Sequence, residues 1–527
     1  MIFWWSSSNR SAAPLYNAPI MTMRAIPWTL FGFLFLVQTP IINAAQDATA
    51  TDGEDAPQER GLRQHLEGAF DGYTLFSPLA STSIYLIDMK GEIAHEWKTE
   101  LSPTGAVYLL DNGHVLRCAT QPDNPKFNGG GMGGRIQEFD WDGNLVWDFE
   151  LANDYQTQHH DIEPMPDGNV LLITWEHRFP DDAVEWGRDP AQIGEDGLWP
   201  DAVLEIKPTG SDGGEVVWEW HAWDHVVQDF DEGLPGHGSV PENPGRIDIN
   251  ADHRDQPAVN DAERERLEQV EQEMRALGYM GDDDEDEDSD DGGDGATDIK
   301  PDWLHTNGID YHPGLDLIAL SSPEMNEVWV IDHSTTTDQA AWSKGGRWKR
   351  GGNLLYRWGN PRNYGMGSDD DRRLFYQHNP EWILDGPAGE LRLSIFNNGG
   401  GRPDGDYSSV IELSLPFDPE RGFLRDADAA FGPAQPAWSY SAPGEFYSSF
   451  ISGAQRLPNG NTLICSGAPG RLIEVTSAGE IVWEYLNTFG GGAATPDGTP
   501  GAPPKALFRA TRIAFDHPGV AGRLQAR

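Results

Sequence analysis

The feature that most constrains this chain is a strand that keeps returning with a tryptophan at its end. Gly-X-hydrophobic-hydrophobic-Trp occurs as Gly143-Asn144-Leu145-Val146-Trp147, Gly214-Glu215-Val216-Val217-Trp218 and Gly479-Glu480-Ile481-Val482-Trp483, and in a longer form from Gly91 to Trp97. Each copy follows a strand of alternating character and a turn. These preceding strands are Ile84 to Ile87, Arg135 to Phe139, Ala202 to Ile206 and Arg471 to Val475. Alternation on both sides of a tight turn is the signature of a β-hairpin. A second strand pair, built around Asp111-Asn112-Gly113, Asp167-Gly168-Asn169 or Asn459-Gly460-Asn461, precedes every hairpin after the first. The repeating unit is therefore four strands, which fits the blade of a β-propeller.

Two less regular units follow the same order, one from His305 through Val328–Ile331 to Trp358, the other from His378 through Val410–Leu413 to Trp438. That gives six blades. The first unit lacks its upstream pair, while Phe508 to His517 is left unmatched at the other end of the chain. The expected fold is an all-β, six-bladed propeller over residues 65–527, with the C-terminal segment completing blade one and removing its open edge. A β-sandwich would not explain the regular period.

Between blades three and four lies an insertion, residues 222–300, too long for an ordinary connection. Asn260 can cap a helix that places Leu267, Val270, Met274 and Leu277 on one face. The run from Asp282 to Asp291 is almost wholly acidic and reads as solvated and disordered. A surface excursion and a lid over one mouth of the channel are both open readings.

Residues 1–45 read as upstream sequence and a secretory leader: Arg24 precedes the apolar stretch Ile26 to Val37, and the small residues Ala44 and Ala45 follow. Met21 or Met23 is the more natural start for such a leader. The expected location is periplasmic or secreted, without stable membrane insertion because the apolar run is short. A formal charge of -48 argues against nucleic acid as a partner. Cys118 and Cys465 occupy equivalent positions in blades two and six, two blades with blade one between them. A bridge and a pair of free, buried thiols both remain open.

Aligning the blades on their turns puts His160, in His159-His160-Asp161, and His378, in Gln377-His378-Asn379, at the same offset before Asp167 and Asp385. His305, in Asp302-Trp303-Leu304-His305-Thr306-Asn307, falls near that slot in the blade between them. The first strand of each blade lines the channel, so three successive blades aim imidazoles at one wall. Gly105 and Ser452 hold the slot elsewhere. A structural need common to all blades would repeat the residue six times, whereas these are three neighbours. His159, His177, His312 and His333 lack the register and read as structural. Three imidazoles with Asn307 can bind a metal, clamp an oxyanion, transfer protons or attack an electrophile.

An exported six-bladed propeller with His-His-Asp, Asp-Trp-X-His-X-Asn and Gln-His at these positions resembles the bacterial arylsulfate sulfotransferase (arylsulfotransferase, ASST) family. The resemblance implies transfer of a sulfuryl group from a phenolic sulfate donor to a phenolic acceptor. It implies no cofactor, no metal and no 3′-phosphoadenylyl sulfate, and a sulfated histidine as intermediate. Carried over by motif, His378 would be the nucleophile, and His160, His305 and Asn307 would hold the sulfuryl oxygens and stabilise the leaving phenolate. One departure stands out. Where the family has Ser-Ser-Arg, this chain reads Ser321-Ser322-Pro323, and the lost charged donor is worth on the order of a hundredfold in rate. Arg402, and after it Arg178 or Arg509, are the candidates to replace it. A non-catalytic binding propeller and a His-ligated metalloenzyme are the alternative readings.

Overall fold

The computed structural model describes residues 60–122, 126–127, 129–252, 261–276, 299–384, 389–490 and 505–524. The leader candidate, residues 1–45, and the acidic run 282–291 lie outside the described residues. Six antiparallel sheets form the ring expected from the repeat. From the axis outward, blade two is Pro103–Leu109, Val115–Thr120, Gly134–Phe139 and Leu145–Glu150, and blade three is Gln156–Pro164, Val170–Glu176, Asp201–Thr209 and Gly213–His221. Blade four is Gly308–His312, Leu317–Ser322, Glu327–Asp332 and Tyr356–Trp358. Blade five is His378–Trp382, Leu391–Asn397, Ser409–Leu415 and Trp438–Ser441.

The ring is closed twice. The C-terminal strand Leu507–Ala514 is the innermost of blade one, paired antiparallel with Gly72–Pro78 inside Ser83–Ile87 and Ile93–Lys98. Blade six, built on Gly453–Arg456, Thr462–Ser466, Arg471–Val475 and Ile481–Leu486, gains a fifth, outermost strand, Gly61–His65, paired from Gly61 to Leu486. This second closure was not anticipated from the sequence: Gly61–His65 carries neither the tryptophan nor the alternation of the repeat. Both pairings saturate backbone groups that a sheet edge would leave open.

The repeated tryptophan has a common job. In each blade an outer-strand indole Nε1 donates a hydrogen bond to the next blade: Trp97 to the Asp140 carbonyl, Trp147 to Gly213, Trp218 to Thr335 Oγ1, Trp358 to Pro433, Trp438 to Ser477, and Trp483 back to Met89 of blade one, at 2.9–3.1 Å overall and 3.0 Å for the last. A buried indole fills the gap between sheets while its one donor needs a partner, and the neighbouring turn supplies it. Cys118 and Cys465 are buried free thiols in separate clusters, which decides against a bridge.

The insertion contributes a short parallel ladder, Val226–Val227 with Ile247–Asp248, and the helix Asp261–Ala276. Val270 and Met274 are half-buried, whereas Leu267 is exposed; Asn260 and Leu277 lie outside the described residues. Met274 packs against the cluster that includes Phe450, Ile451 and Phe508, Glu273 accepts from Ser449 Oγ at 2.7 Å, and the Arg266 guanidinium lies 5.7 Å from the Tyr376 ring. The helix is thus seated on segments that precede the inner strands of blades five and six and on the start of the inner strand of blade one. Among the described residues no helix is long and apolar enough to cross a membrane.

Candidate active site

The inner strands do not run straight past the axis. In blades two, three and five the pairing of the first strand with the second slips at the same level, between Pro103 and Val107, opposite Leu172 and Thr174, and between His378 and Glu381. Such bulges re-aim side chains. His160 and His305 have φ of 53° and 51°, and Tyr376 and Asn379, on either side of Gln377-His378, have 55° and 49°. Left-handed backbone at non-glycine residues costs about 1–3 kcal/mol each and collects where geometry serves function. Two glycines make room for His160. A Cβ on Gly105 would stand 1.7 Å from the His160 carbonyl oxygen, and one on Gly131 would stand 2.5 Å from its ring.

The three predicted histidines come together. The His160 and His305 rings meet edge to face with centroids 4.4 Å apart, and His378 is close enough for the charge on His305 to bear on it. They are not equally reachable. His160 is fully enclosed and His378 5% exposed, whereas the His305 side chain is 20% exposed. A substrate therefore meets His305 and His378 first, with His160 behind.

Each ring has a different partner, and the partners set them apart. His378 Nδ1 donates to Asn398 Oδ1 at 2.8 Å and more weakly to the Tyr376 carbonyl at 3.3 Å, so Nε2 carries the lone pair. Burial, against the help of Asn398, and the nearby charge of His305 hold its pKa down to about 3. It is neutral at any ordinary pH. His305 Nδ1 is bonded to the Asp302 carboxylate, whose other oxygen accepts from Trp175 Nε1 at 3.0 Å. Burial disfavours charge on His305, yet Asp302, with Glu324 and Asp201 further off, outweighs it and raises the pKa to about 9. Burial and the charges of His305, His159 and His378 push His160 well below the usual range.

His159, which the register set aside as structural, touches the site after all. Its Nδ1 lies 2.7 Å from Nδ1 of His160, its Nε2 faces Asp201 Oδ1 at 3.4 Å, and its ring stacks on Trp175 at 4.0 Å. Asp201 also accepts from the Thr306 amide at 2.6 Å, tying this arm to the one bearing His305. Asp302 was given no role from the sequence, although its place three residues before His305 is the signal that could have found it. Asn398 had no signal beyond its place at the end of a second strand.

Asn307 is buried and straps blade four to blade five: its Nδ2 donates to the Gln377 carbonyl at 2.9 Å, leaving one amide hydrogen and an Oδ1 without a partner among the described residues. Ser321 Oγ donates to that same carbonyl at 3.1 Å, and Pro323 opens a turn closed by the Asn326 amide. Blade four thus brings no fixed cation at the Pro323 position. Arg402 is engaged elsewhere, bonded to Asp404 at 3.1 Å and to the Tyr407 hydroxyl at 2.6 Å. Arg178 is held by Glu176 at 3.2 Å. Arg509 does reach the channel wall, where it pairs with Asp161 at 2.6 Å. It borders a cavity of about 330 Å³ with Tyr108, Glu163, Asp310, Glu381 and Asn379. That cavity lies on the turn side of the strands and includes none of the three histidines. Among the described residues no three His, Cys, Asp or Glu side chains are grouped to hold a metal ion.

The model of a family described as arylsulfotransferase (ASST) matches residues 71–485. No curated protein matches the chain. Among solved structures it is similar to a protein of unknown function from Bacteroides caccae, at TM-score 0.39 and 12% identity over 84% of this chain and 98% of that one. It is also similar to the periplasmic gluconolactonase of Pseudomonas aeruginosa, at TM-score 0.33 and 11% identity over 79% and 96%. A protein from Lactobacillus plantarum gives TM-score 0.37 and 10% identity over 84% and 100%. At such scores these likenesses carry no argument, and the six blades rest on the strand pairing itself.

Proposed function

We propose, for a chain that belongs to the arylsulfotransferase family, that it moves a sulfuryl group from a phenolic sulfate ester to a phenolic acceptor through a sulfated His378. No nucleotide sulfate donor and no cofactor enter this reading. The observation that carries it is the contrast between two neighbouring histidines, one kept neutral beside an amide and one kept charged beside a carboxylate. Sites in which environment drives like groups apart assign their own acid and nucleophile.

In the first half-reaction Nε2 of His378 forms the bond to sulfur as the bond from sulfur to the aryl oxygen breaks. The departing phenolate takes the Nε2 proton of His305. In the second half-reaction an incoming phenol gives its proton back to His305 and takes the sulfuryl group from His378. The two halves are the same reaction run in opposite directions, so one residue must serve as acid and base. A phenol ionises near ~10, close to the pKa of about 9 of His305. The proton exchange is then nearly balanced both ways, and ping-pong kinetics follow.

The positive charge on His305 also stands in for the arginine that Pro323 displaces, stabilising the sulfuryl oxygens and the leaving oxygen together. Asn307, with its remaining amide hydrogen, and His160, from behind His305, complete the wall on this reading. Arg402 has no part in it, since Asp404 and Tyr407 hold it. We place the protein outside the cytoplasm, periplasmic or secreted, on the strength of the leader-like segment from Arg24 to Ala45.

The test is a steady-state assay with 4-nitrophenyl sulfate and excess phenol. The reading expects nitrophenol release that depends on the phenol and disappears in His378→Ala. Release that survives in His378→Ala, or none from folded wild type with several phenols, sinks it and favours a binding propeller.

A further inference from the structure

We infer that Asn398 is the positioning residue that keeps a proton on Nδ1 of His378 throughout the cycle, and thereby keeps the sulfated histidine able to pass its group on. The inference rests on the sulfuryl-transfer reading above. Its ground is that the Asn398 amide has only one way to sit. Nδ2 donates to two backbone carbonyls, Ser448 at 2.9 Å and Ile451 at 3.0 Å. Turning the amide over would set its oxygen against both of those oxygens, so Oδ1 must face His378, 2.8 Å away. An oxygen there requires Nδ1–H, and Nε2 is left bare. The second acceptor on that hydrogen, the Tyr376 carbonyl at 3.3 Å, makes the same demand.

The consequence lies in the intermediate. When Nε2 bonds to sulfur and Nδ1 keeps its hydrogen, the ring carries a positive charge against the negative sulfonate. Its leaving group in the second half-reaction is then a neutral imidazole. If the Nδ1 proton were lost, the leaving group would be an imidazolate, a far stronger base and a far poorer one to expel. An amide oxygen accepts the hydrogen bond and cannot take the proton; a carboxylate at the same place would take it. The chain makes both choices side by side: Asp302, a carboxylate, stands behind His305, the residue that exchanges protons, and Asn398, an amide, stands behind the one that must not.

Two measurements test this. In wild-type protein labelled with nitrogen-15 histidine, nuclear magnetic resonance across neutral pH should find His378 with Nδ1 protonated and Nε2 bare. The opposite tautomer overturns the inference whether or not the protein transfers sulfuryl groups. Next, Asn398→Asp and wild type are loaded with 4-nitrophenyl sulfate in the absence of acceptor, then mixed with phenol, and the sulfated protein is followed by mass spectrometry. Loading should stay within about threefold of wild type, while discharge to phenol slows on the order of a hundredfold and slows further as pH rises. Discharge as fast as in wild type, or loading and discharge reduced alike as a merely structural defect would do, contradicts it. If Asn398→Asp does not fold, the tautomer in the wild type still decides. The expected tautomer with no sulfation of wild type refutes the transfer reading, and with it the role in discharge; the wrong tautomer with sulfation refutes this inference alone.

Discussion

His159 and His160, consecutive in the chain, meet through the same atom of each ring, Nδ1 to Nδ1 at 2.7 Å. Only one hydrogen fits between them. Beyond His159, Nε2 and Asp201 Oδ1 face each other at 3.4 Å, and neither atom has a hydrogen-bond partner among the described residues. A carboxylate only accepts, so the His159 tautomer with Nε2–H facing Asp201 leaves its Nδ1 bare, and the hydrogen between the two rings then sits on Nδ1 of His160.

His159→Phe keeps a ring on Trp175 and removes that control. The expected result is a fall in kcat/KM for an aryl sulfate of about tenfold with the fold intact, and partial recovery in His159→Gln, whose amide can bond to His160. Steady-state kinetics with circular dichroism as the fold control measures it; kcat/KM unchanged in His159→Phe would return His159 to a packing role.

The pH profile follows from the pKa values of the two open histidines. His305 must be protonated to assist the leaving phenolate, so activity should hold below about 9 and fall as pH rises through that value. His378 must be neutral, and with its pKa near 3 no acid limb from it should be seen at mildly acidic pH. Asp302→Asn removes the charge that holds His305 up. The basic limb should then move down toward the ordinary histidine value of ~6.5, which a pH series of kcat/KM reads directly.

Stability should carry a separate pH signature at the contact of blades three and four. His333 Nδ1 bonds to Asp316 at 2.6 Å and Nε2 to Glu205 at 3.2 Å. Burial alone would lower its pKa, but these two carboxylates raise it to about 9. A histidine raised on folding adds stability that is fully present below its unfolded value of ~6.5 and is lost as pH climbs to about 9. Thermal melting across that window should show the loss in wild type and a flatter profile in His333→Gln.

The indole ring makes a prediction for the fold. Trp358→Phe keeps most of the buried ring and removes one donor to the next blade, leaving the Pro433 carbonyl without the bond it accepts at 2.9 Å. The expected cost is about 1 kcal/mol, read as a lowered denaturant midpoint. A cost near zero would mean that these bonds accompany blade packing without supporting it.

How much of this was legible depended on whether the signal repeats. The blades and the C-terminal closure were readable because Trp147, Trp218 and Trp483 recur at one place in a fixed pattern. The strand Gly61–His65 was not, since it joins blade six through backbone bonds, which any sequence can supply. The slot holding His160, His305 and His378 was readable for the same reason as the blades. Asn398 and Asp201 escaped because each acts from a different part of the fold on a single histidine, His159 was set aside because it stands one residue out of the repeat register, and Asp302 was given no role although it lies three residues before His305. Arg402 was named for its charge alone, and a charge says nothing of reach: Asp404 and Tyr407 lie within five residues of it and claim it first.

The central claim is that His378 itself carries the sulfuryl group, and one measurement addresses it directly. The protein is incubated with 4-nitrophenyl sulfate without acceptor, quenched, digested and mapped by mass spectrometry. The account predicts a peptide heavier by one sulfuryl group, with the addition on His378, that returns to its unmodified mass once phenol is added before the quench. An addition on His160 or His305, or phenol-dependent turnover with no covalent addition anywhere, would contradict it.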